Sequence, residues 1–193
     1  DISYLQFNPG AGALQKETQI ALFHNSWIAD SKLETLAFTT RLKNQKHFSF
    51  GGYASCFYMP FTEYNFFGNR VSGNYYTETT LALNASYNFL AGYDFKGLSL
   101  GITVKTGWRG IPDYTDNNTD AIIQGSGLAQ CGLALMADLG LMLQFNFLKS
   151  YSSRDPNVRI GISAQNLGFS LTGFGKEIKL DDPIPTTVAA GIS

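Results

Sequence analysis

The chain has few charged residues, few cysteines and few histidines. Charged residues make up 15% of the sequence and the net charge is -1, whereas soluble domains carry about 25% charged residues. Because no basic patch is concentrated anywhere, nucleic acid is not an expected partner. The two cysteines and two histidines show no ligand spacing, so we expect neither a metal site nor a cofactor. No nucleophile motif, phosphate loop or pair of catalytic carboxylates stands out, and we predict no enzyme.

A long apolar run, residues 131–147, is slightly short for a membrane-spanning helix. It reads CGLALMADLGLMLQFNF, whereas about 20 apolar residues would span a bilayer. Its odd-numbered positions are all apolar, and its even-numbered positions hold every polar residue, including Asp138. A period of two is typical of a strand. The run is therefore predicted to be a strand with Asp138 on its polar face.

The same alternation recurs in TTLALNASYNFLA, GLSLGITVKTG and VRIGISAQNLG. Alternation over about ten residues, with turn residues between, is typical of an outer-membrane barrel. A soluble sandwich alternates in the same way. The polar positions carry Ser, Thr, Asn, Gln and Gly more than Lys and Glu, which suits a barrel lumen better than a solvated sheet face. We predict strands near 19–29, 33–43, 47–58, 78–90, 97–109, 129–147, 158–169 and from 187 onward.

Connection lengths orient the predicted barrel. Long connections follow the third, fifth and seventh strands, at residues 59–77, 110–128 and 169–186. Short turns of bacterial barrels face the periplasm and longer loops face outward, which places the amino terminus in the periplasm. The last strand is shorter than the roughly 9–11 residues that a crossing needs. We therefore expect the chain to be the amino-terminal part of a larger barrel in the bacterial outer membrane.

Several segments taken in order carry a resemblance to a known family. FNPGAGAL, GLSLGITVK, ADLGLML, VRIGISAQNLG and DDPIPTTVAAGIS together resemble the FadL-type outer-membrane transporters of long-chain fatty acids and other hydrophobic compounds. An uncharacterised spirochaetal branch of FadL-like proteins is the closer match. PorV, a component of a bacterial secretion system, is another relative. The resemblance implies an amino-terminal hatch, residues 1–18, plugging a transmembrane antiparallel barrel whose first eight strands or so fill residues 19–193.

The resemblance also implies residues for the hatch and for a passage. The hatch motif Asn-Pro-Ala matches Asn8 and Pro9, with Gly10 in place of alanine. Hydrophobic ligands, above all long-chain fatty acids, would diffuse passively through the barrel and leave sideways into the membrane at a kinked third strand. Gly51 and Gly52 lie on that strand, and glycine often marks bulges. An ordinary barrel bend is the alternative.

The connection at 59–77 is rich in aromatic side chains. An external apolar patch would capture hydrophobic ligands, because large exposed apolar patches mark binding sites or interfaces. The alternative is a cap of mutually packed rings, or an aromatic girdle at the membrane interface. The candidate residues are Phe61, Tyr64, Phe66, Phe67, Tyr75 and Tyr76.

Three charged residues are predicted to face the lumen by their position in the alternation. Asp138 lies on the sixth predicted strand, and Lys105 and Arg159 lie on the strands that flank it in sequence. Asp138 paired with a cation would bridge neighbouring strands as a structural network. Alternatively, one cation would hold a fatty-acid carboxylate through a charge-assisted hydrogen bond.

Two further functions stay open. One is a PorV-like outer-membrane component of secretion, whose loops engage unidentified proteins and whose lumen carries nothing. The other is a soluble lipid-binding β-sandwich. Under the transport hypothesis the partners are membrane lipids and hydrophobic small molecules.

Overall fold

The elements are given by a computed structural model that describes residues 2–42, 47–89, 95–110, 114–115, 122–123, 132–148, 156–171 and 184–193. These residues form one helix, α1 (Tyr4–Phe7), two 3-10 helices (Pro9–Leu14 and Ile28–Asp30), and the strands β1 (Gln19–Ser26), β2 (Lys32–Arg41), β3 (Phe48–Tyr64), β4 (Arg70–Phe89), β5 (Phe95–Gly110), β6 (Tyr114–Thr115), β7 (Ile122–Ile123), β8 (Gly132–Phe145), β9 (Val158–Leu171) and β10 (Thr187–Ile192).

Eight of the strands form one antiparallel sheet in the order β1-β2-β3-β4-β5-β8-β9-β10, while β6 and β7 pair separately. The predicted all-β antiparallel fold is thus confirmed. The sheet is open, since β1 and β10 lie at its two edges. Among the described residues, no helix has the length and apolar character needed to cross a membrane.

The third and fourth strands are longer than predicted. β3 continues to Tyr64 and β4 begins at Arg70, so most of the predicted loop at 59–77 is a hairpin. The turn is closed by Asn65, whose Oδ1 accepts from the backbone N–H groups of Phe67 and Asn69 at 3.0 and 2.9 Å. Pairing of β3 with β2 reaches only to Tyr58, and the tip of the hairpin therefore projects beyond that neighbouring strand.

The two faces of the sheet differ in exposure: the apolar face, called the outward face below, is exposed, and the polar face, called the inward face, is buried. Apolar residues of the outward face are exposed, as at Leu83 (68%), Ile102 (46%) and Leu139 (49%). Polar residues of the inward face are buried, namely Thr35, Thr39, Ser49, Asn84, Ser86, Ser99, Thr103, Lys105, Asp138 and Ser163. The polar face is therefore the covered one.

The amino-terminal segment, residues 2–14, covers this polar face. Its second half contacts β3, β4, β5 and β8, and α1 contacts β3. Ile2, Tyr4 and Leu5 pack with Ala37 in the one apolar core cluster found among the described residues. The core is small because the large apolar side chains of the sheet face outward.

The predicted long loops at 110–128 and 169–186 lie largely outside the described residues. Between β5 and β8 the structure describes β6 and β7, and before β10 it describes residues 184–186.

Candidate functional site

A row of small residues crosses the middle of the polar face. Direct cross-strand partners place them side by side on five consecutive strands: Ser49, Ser86, Gly101, Gly140 and Ser163. Because neighbouring strands lie about 4.8 Å apart, the row forms a shallow channel with little side-chain bulk. The amino-terminal segment lies in this channel.

Asn8, Pro9 and Gly10 form the part of the segment that enters the channel. Asn8 Oδ1 accepts from Gly10 N at 2.9 Å, and Asn8 Nδ2 donates to the carbonyl oxygens of Leu141 and Ile162 at 3.2 and 3.4 Å. Pro9 is the first residue of the 3-10 helix, where its missing N–H costs nothing. A Cβ at Gly10 would lie 2.9 Å from the Gly140 carbonyl oxygen, which accounts for glycine at this position.

Glycines of the sheet provide the matching space. A Cβ at Gly101 would lie 2.2 Å from the carbonyl carbon of Pro9, and one at Gly140 would lie 2.2 Å from Asn8 Oδ1. Real Cβ atoms do not approach this closely. Both β5 and β8 must therefore carry glycine at these positions for the segment to lie where it does.

Polar side chains hold the segment at both ends and in the middle. Tyr4 Oη lies 2.8 Å from Thr39 Oγ1, and Arg41 Nη2 donates to the Ala13 carbonyl at 2.8 Å. Burial raises the pKa of Tyr4 more than the hydrogen bond to Thr39 lowers it, which keeps the phenol neutral. Asn84 Nδ2 donates to the Pro9 carbonyl at 3.4 Å, and Gln165 Nε2 donates to the carbonyls of residues 6 and 7 at 2.8 and 2.7 Å. The sequence signals these anchors only by their polar positions.

Gly51 and Gly52 do not interrupt the sheet. Gly51 pairs with Thr39 and Asn84, Gly52 pairs with Phe38 and Leu83, and the register of this hairpin shifts only between Glu63 and Tyr64. The pairing therefore leaves no lateral gap at these glycines. Gly51 instead leaves room for the amino-terminal segment, because a Cβ there would lie 2.7 Å from Tyr4 Oη.

Lys105 and Asp138 form a buried ion pair on the polar face. Lys105 Nζ lies 2.8 Å from Asp138 Oδ1, with side-chain exposures of 8% and 1%. Lys105 Nζ also donates to Asn166 Oδ1, and Asn166 N donates to Asp138 Oδ1 at 2.8 Å. Asn166 has a φ of 58° and lies at a bulge, where the register between β8 and β9 shifts. The bulge turns one extra backbone N–H toward the carboxylate.

Arg159 takes no part in this pair. Its side chain is exposed, and its backbone exchanges two hydrogen bonds with Ser193 at 2.8 and 2.9 Å. Of the three predicted lumen charges, the structure thus brings together Lys105 and Asp138.

The predicted capture residues are spread along the β3–β4 hairpin. Phe66 and Phe67 lie in the turn, 98% and 82% exposed, with ring centroids 5.7 Å apart. Phe61, Tyr64, Tyr75 and Tyr76 lie on the strands. Tyr76 donates to Glu78. The rings flank the two-stranded end of this hairpin, where β3 and β4 pair only with each other.

The family model for the uncharacterised protein family UPF0164 matches residues 1–179. Similar proteins include three UPF0164 proteins of Treponema pallidum (strain Nichols), with identities of 31% over 179 residues, 28% over 176 residues and 26% over 172 residues. Each match covers 89% of this chain and, in the same order, 38%, 47% and 31% of the relative. The chain therefore spans less than half the length of these relatives. No solved structure matches it.

These matches correct the resemblance drawn from the sequence. The comparisons give no support for membership of the FadL family or for kinship with PorV, and the order of short glycine-rich and alternating segments was misleading. Such segments occur wherever strands alternate and a backbone must approach closely, so they identify a type of strand better than they identify a family. The match over residues 1–179 shows that the chain belongs to the uncharacterised protein family UPF0164.

Proposed function

We propose that the chain forms part of the wall of a transmembrane β-barrel in the bacterial outer membrane, and that this barrel passively conducts hydrophobic small molecules. One observation carries the membrane placement: the sheet exposes its apolar face and buries its polar face. Monomeric soluble proteins rarely expose large continuous apolar surfaces. Lipid is the solvent in which such a face is stable.

Strand length supports the same placement. The strands β3, β4, β5, β8 and β9 have between 14 and 20 residues. A tilted strand crosses the membrane with about 9–11 residues. The five central strands are therefore long enough to cross and to extend beyond the hydrocarbon region. The connections at 42–47 and 90–94 are short, and we place them on the periplasmic side.

The amino-terminal segment acts in this proposal as a plug that narrows the interior. It is held by side-chain to backbone hydrogen bonds: residues of β2, β4 and β9 donate to carbonyls of the segment, and Asn8 donates to carbonyls of β8 and β9. Hydrophobic ligands would first meet the aromatic tip of the hairpin, Phe66 and Phe67. We propose long-chain fatty acids as the first ligand class to test. Because Lys105 is engaged by Asp138, we propose a structural role for this pair and no role in binding a ligand carboxylate.

Membrane placement is tested with nitroxide labels on the full-length protein in phospholipid vesicles. Labels at Leu83 and Ile102 should collide readily with oxygen dissolved in lipid and poorly with a water-soluble nickel chelate. A label at Phe66, on the hairpin tip, should show the reverse. Nickel access at Leu83 equal to that at Phe66 would contradict the membrane placement.

Conduction is tested separately by the uptake of a fluorescent long-chain fatty acid into the same vesicles. Uptake should exceed that of empty vesicles, and the double variant Phe66→Ser/Phe67→Ser should lower it. Leu148→Ser is the matched control, because Leu148 is 87% exposed and follows β8 at the other end of the sheet. Uptake no faster than in empty vesicles would reject conduction, and protein partners that co-purify in that case would favour an interaction role.

A further inference from the structure

A serine, a histidine and a glutamate form a hydrogen-bonded chain on the outward face of β1 and β2. His24 Nδ1 lies 2.7 Å from Glu34 Oε1, and His24 Nε2 lies 3.0 Å from Ser26 Oγ. The strand register holds them together, because His24 pairs directly with Glu34 and Ser26 lies two residues along the same face. Each ring nitrogen therefore has a single partner of a different kind.

This order of partners is the one that activates a hydroxyl nucleophile. A base must lie within hydrogen-bond reach of the hydroxyl, and a third group must orient the base. With its proton on Nδ1, the ring of His24 donates to Glu34 and accepts from the hydroxyl of Ser26. The side chains of His24 and Glu34 are 57% and 45% exposed, which leaves the chain of groups open to a substrate.

The three residues lie at one end of the row of exposed apolar side chains on β1 and β2. The outward positions next to them are large and apolar: Ile20 and Leu22 on β1, Leu36 and Phe38 on β2. On the other side are Trp27, which is 69% exposed, and Lys32, which pairs with Ser26. Tryptophan is enriched at membrane–water interfaces. An ester bond of a membrane lipid would lie at this level, with its acyl chain along the apolar positions and the phosphate of its headgroup near Lys32.

We propose that Ser26, His24 and Glu34 form a hydrolase site for acyl esters of membrane lipids. Ser26 and His24 are the catalytic residues, and Glu34 is a positioning residue. The lipid as substrate rests on the proposed membrane placement, whereas the hydrogen-bonded chain of side chains does not. The site is separate from the amino-terminal segment, which covers the opposite face of the sheet.

The reaction proceeds in two steps and consumes one water. Ser26 Oγ attacks the carbonyl carbon of the ester while its proton passes to His24 Nε2. The bond from that carbon to the alcohol oxygen then breaks, and the alcohol leaves with the proton from His24. Water, deprotonated by His24, attacks the acyl-serine, and the carboxylic acid leaves as Ser26 regains its proton.

The test uses the full-length protein in detergent micelles and two substrates. A fluorophosphonate probe should label Ser26, and the protein should hydrolyse both p-nitrophenyl butyrate and phosphatidylethanolamine in mixed micelles. Ser26→Ala should lose labelling and both activities, and His24→Gln should lose most of each. Ser55→Ala is the matched control, since within the described part of the chain the hydroxyl of Ser55 is bonded to Thr35 Oγ1 at 3.0 Å and to no histidine; it should retain both.

Glu34→Gln separates positioning from folding. It should lower kcat for p-nitrophenyl butyrate with KM unchanged, whereas a purely structural role would lower the folded fraction and leave kcat of the folded protein intact. Absence of labelling and of both activities in folded wild-type protein would overturn the site. Hydrolysis of the butyrate ester alone would overturn the lipid as substrate, and labelling that persists in Ser26→Ala would overturn the nucleophile. None of these results depends on whether fatty acids are conducted.

Discussion

Lys105 and Asp138 show how two opposite charges are accommodated on the buried polar face. Asp138 is 1% exposed, and it has both an ammonium group and the backbone N–H of Asn166 as partners. A buried ion pair adds little to stability compared with apolar residues, but removal of one partner leaves the other charge buried without compensation. The sequence placed Asp138 on a polar strand face, and the structure supplies its partner.

Replacing one partner should therefore cost more than replacing both. We expect Lys105→Met to lower the free energy of unfolding by about 3–5 kcal/mol, because the carboxyl group of Asp138 is then buried without its cation. The double variant Lys105→Met/Asp138→Asn should recover at least half of that loss. Denaturant unfolding followed by tryptophan fluorescence measures both values.

Arg159→Met serves as the control for that series. The side chain of Arg159 is exposed, and exposed substitutions usually change stability by less than about 0.5 kcal/mol. A double variant whose loss of stability equals the sum of the losses in Lys105→Met and Asp138→Asn would contradict the pairing, because it would show that the two residues contribute independently.

At the scale of elements, alternation in the sequence predicted the strands and their faces well. Residues 98–104 alternate strictly, and in residues 133–143 the odd positions are all apolar while the even positions hold the one polar residue, Asp138. A period of two over such lengths indicates a strand. The end of the β3–β4 hairpin, residues 59–77, was predicted as a loop because its aromatic and polar residues alternate irregularly around Gly68. Its strands pair from Met59 with Tyr76 to Tyr64 with Arg70, although no regular alternation marks one face of them in the sequence.

The position of the amino-terminal segment on the sheet could not be predicted from local sequence patterns. Its contacts join Asn8 to carbonyls that are 133 and 154 residues away in the sequence. In the sequence alone, the small residues of the strands that make room for the segment look like positions of low strand propensity. Asn8, Pro9 and Gly10 were predicted from a family resemblance that proved wrong, yet they lie in the channel on the polar face. Arg41, Asn84 and Gln165 were missed, since a polar residue on a polar face carries no sign of its partner.

Close packing between the segment and the sheet makes a second prediction. Gly101→Ala should displace residues 2–14, because its Cβ would lie 2.2 Å from the carbonyl carbon and oxygen of Pro9, and overpacking costs about 1–3 kcal/mol. The strand itself should persist, since alanine fits a strand at least as well as glycine. Hydrogen exchange measured by mass spectrometry should rise about tenfold or more in residues 2–14 and stay unchanged in β4 and β8.

Gly132→Ala is the matched control for Gly101→Ala. It lies on the neighbouring strand β8, and no heavy atom of the described residues lies within 4 Å of a Cβ there. Equal exchange rates in the two variants, or loss of protection throughout the sheet in Gly101→Ala, would contradict a segment seated by close contact.

At the scale of the whole molecule, the central question is whether water or lipid covers the exposed apolar face of the sheet. β1 and β10 each have one neighbour, so the described residues form an open sheet. The curated relatives are more than twice as long as the matched region, which leaves ample chain in the family for further strands. The activity of the whole protein is accordingly a proposal.

The outward face responds to a charge differently in water and in lipid. Leu83 lies midway along the part of β4 that pairs with β5 and is 68% exposed. In water, Leu83→Lys would change stability by less than about 0.5 kcal/mol. In a membrane it should cost about 2–4 kcal/mol, the penalty for lysine near the bilayer midplane.

Unfolding in phospholipid vesicles distinguishes the two cases, with Phe66→Lys as the reference. Phe66 is 98% exposed at the hairpin tip, beyond the central strands, so its replacement should be nearly neutral in either solvent. Equal and small effects of the two lysines would mean that water covers the apolar face. A loss confined to Leu83→Lys would place the middle of the sheet in hydrocarbon, because only there does a lysine side chain lack water.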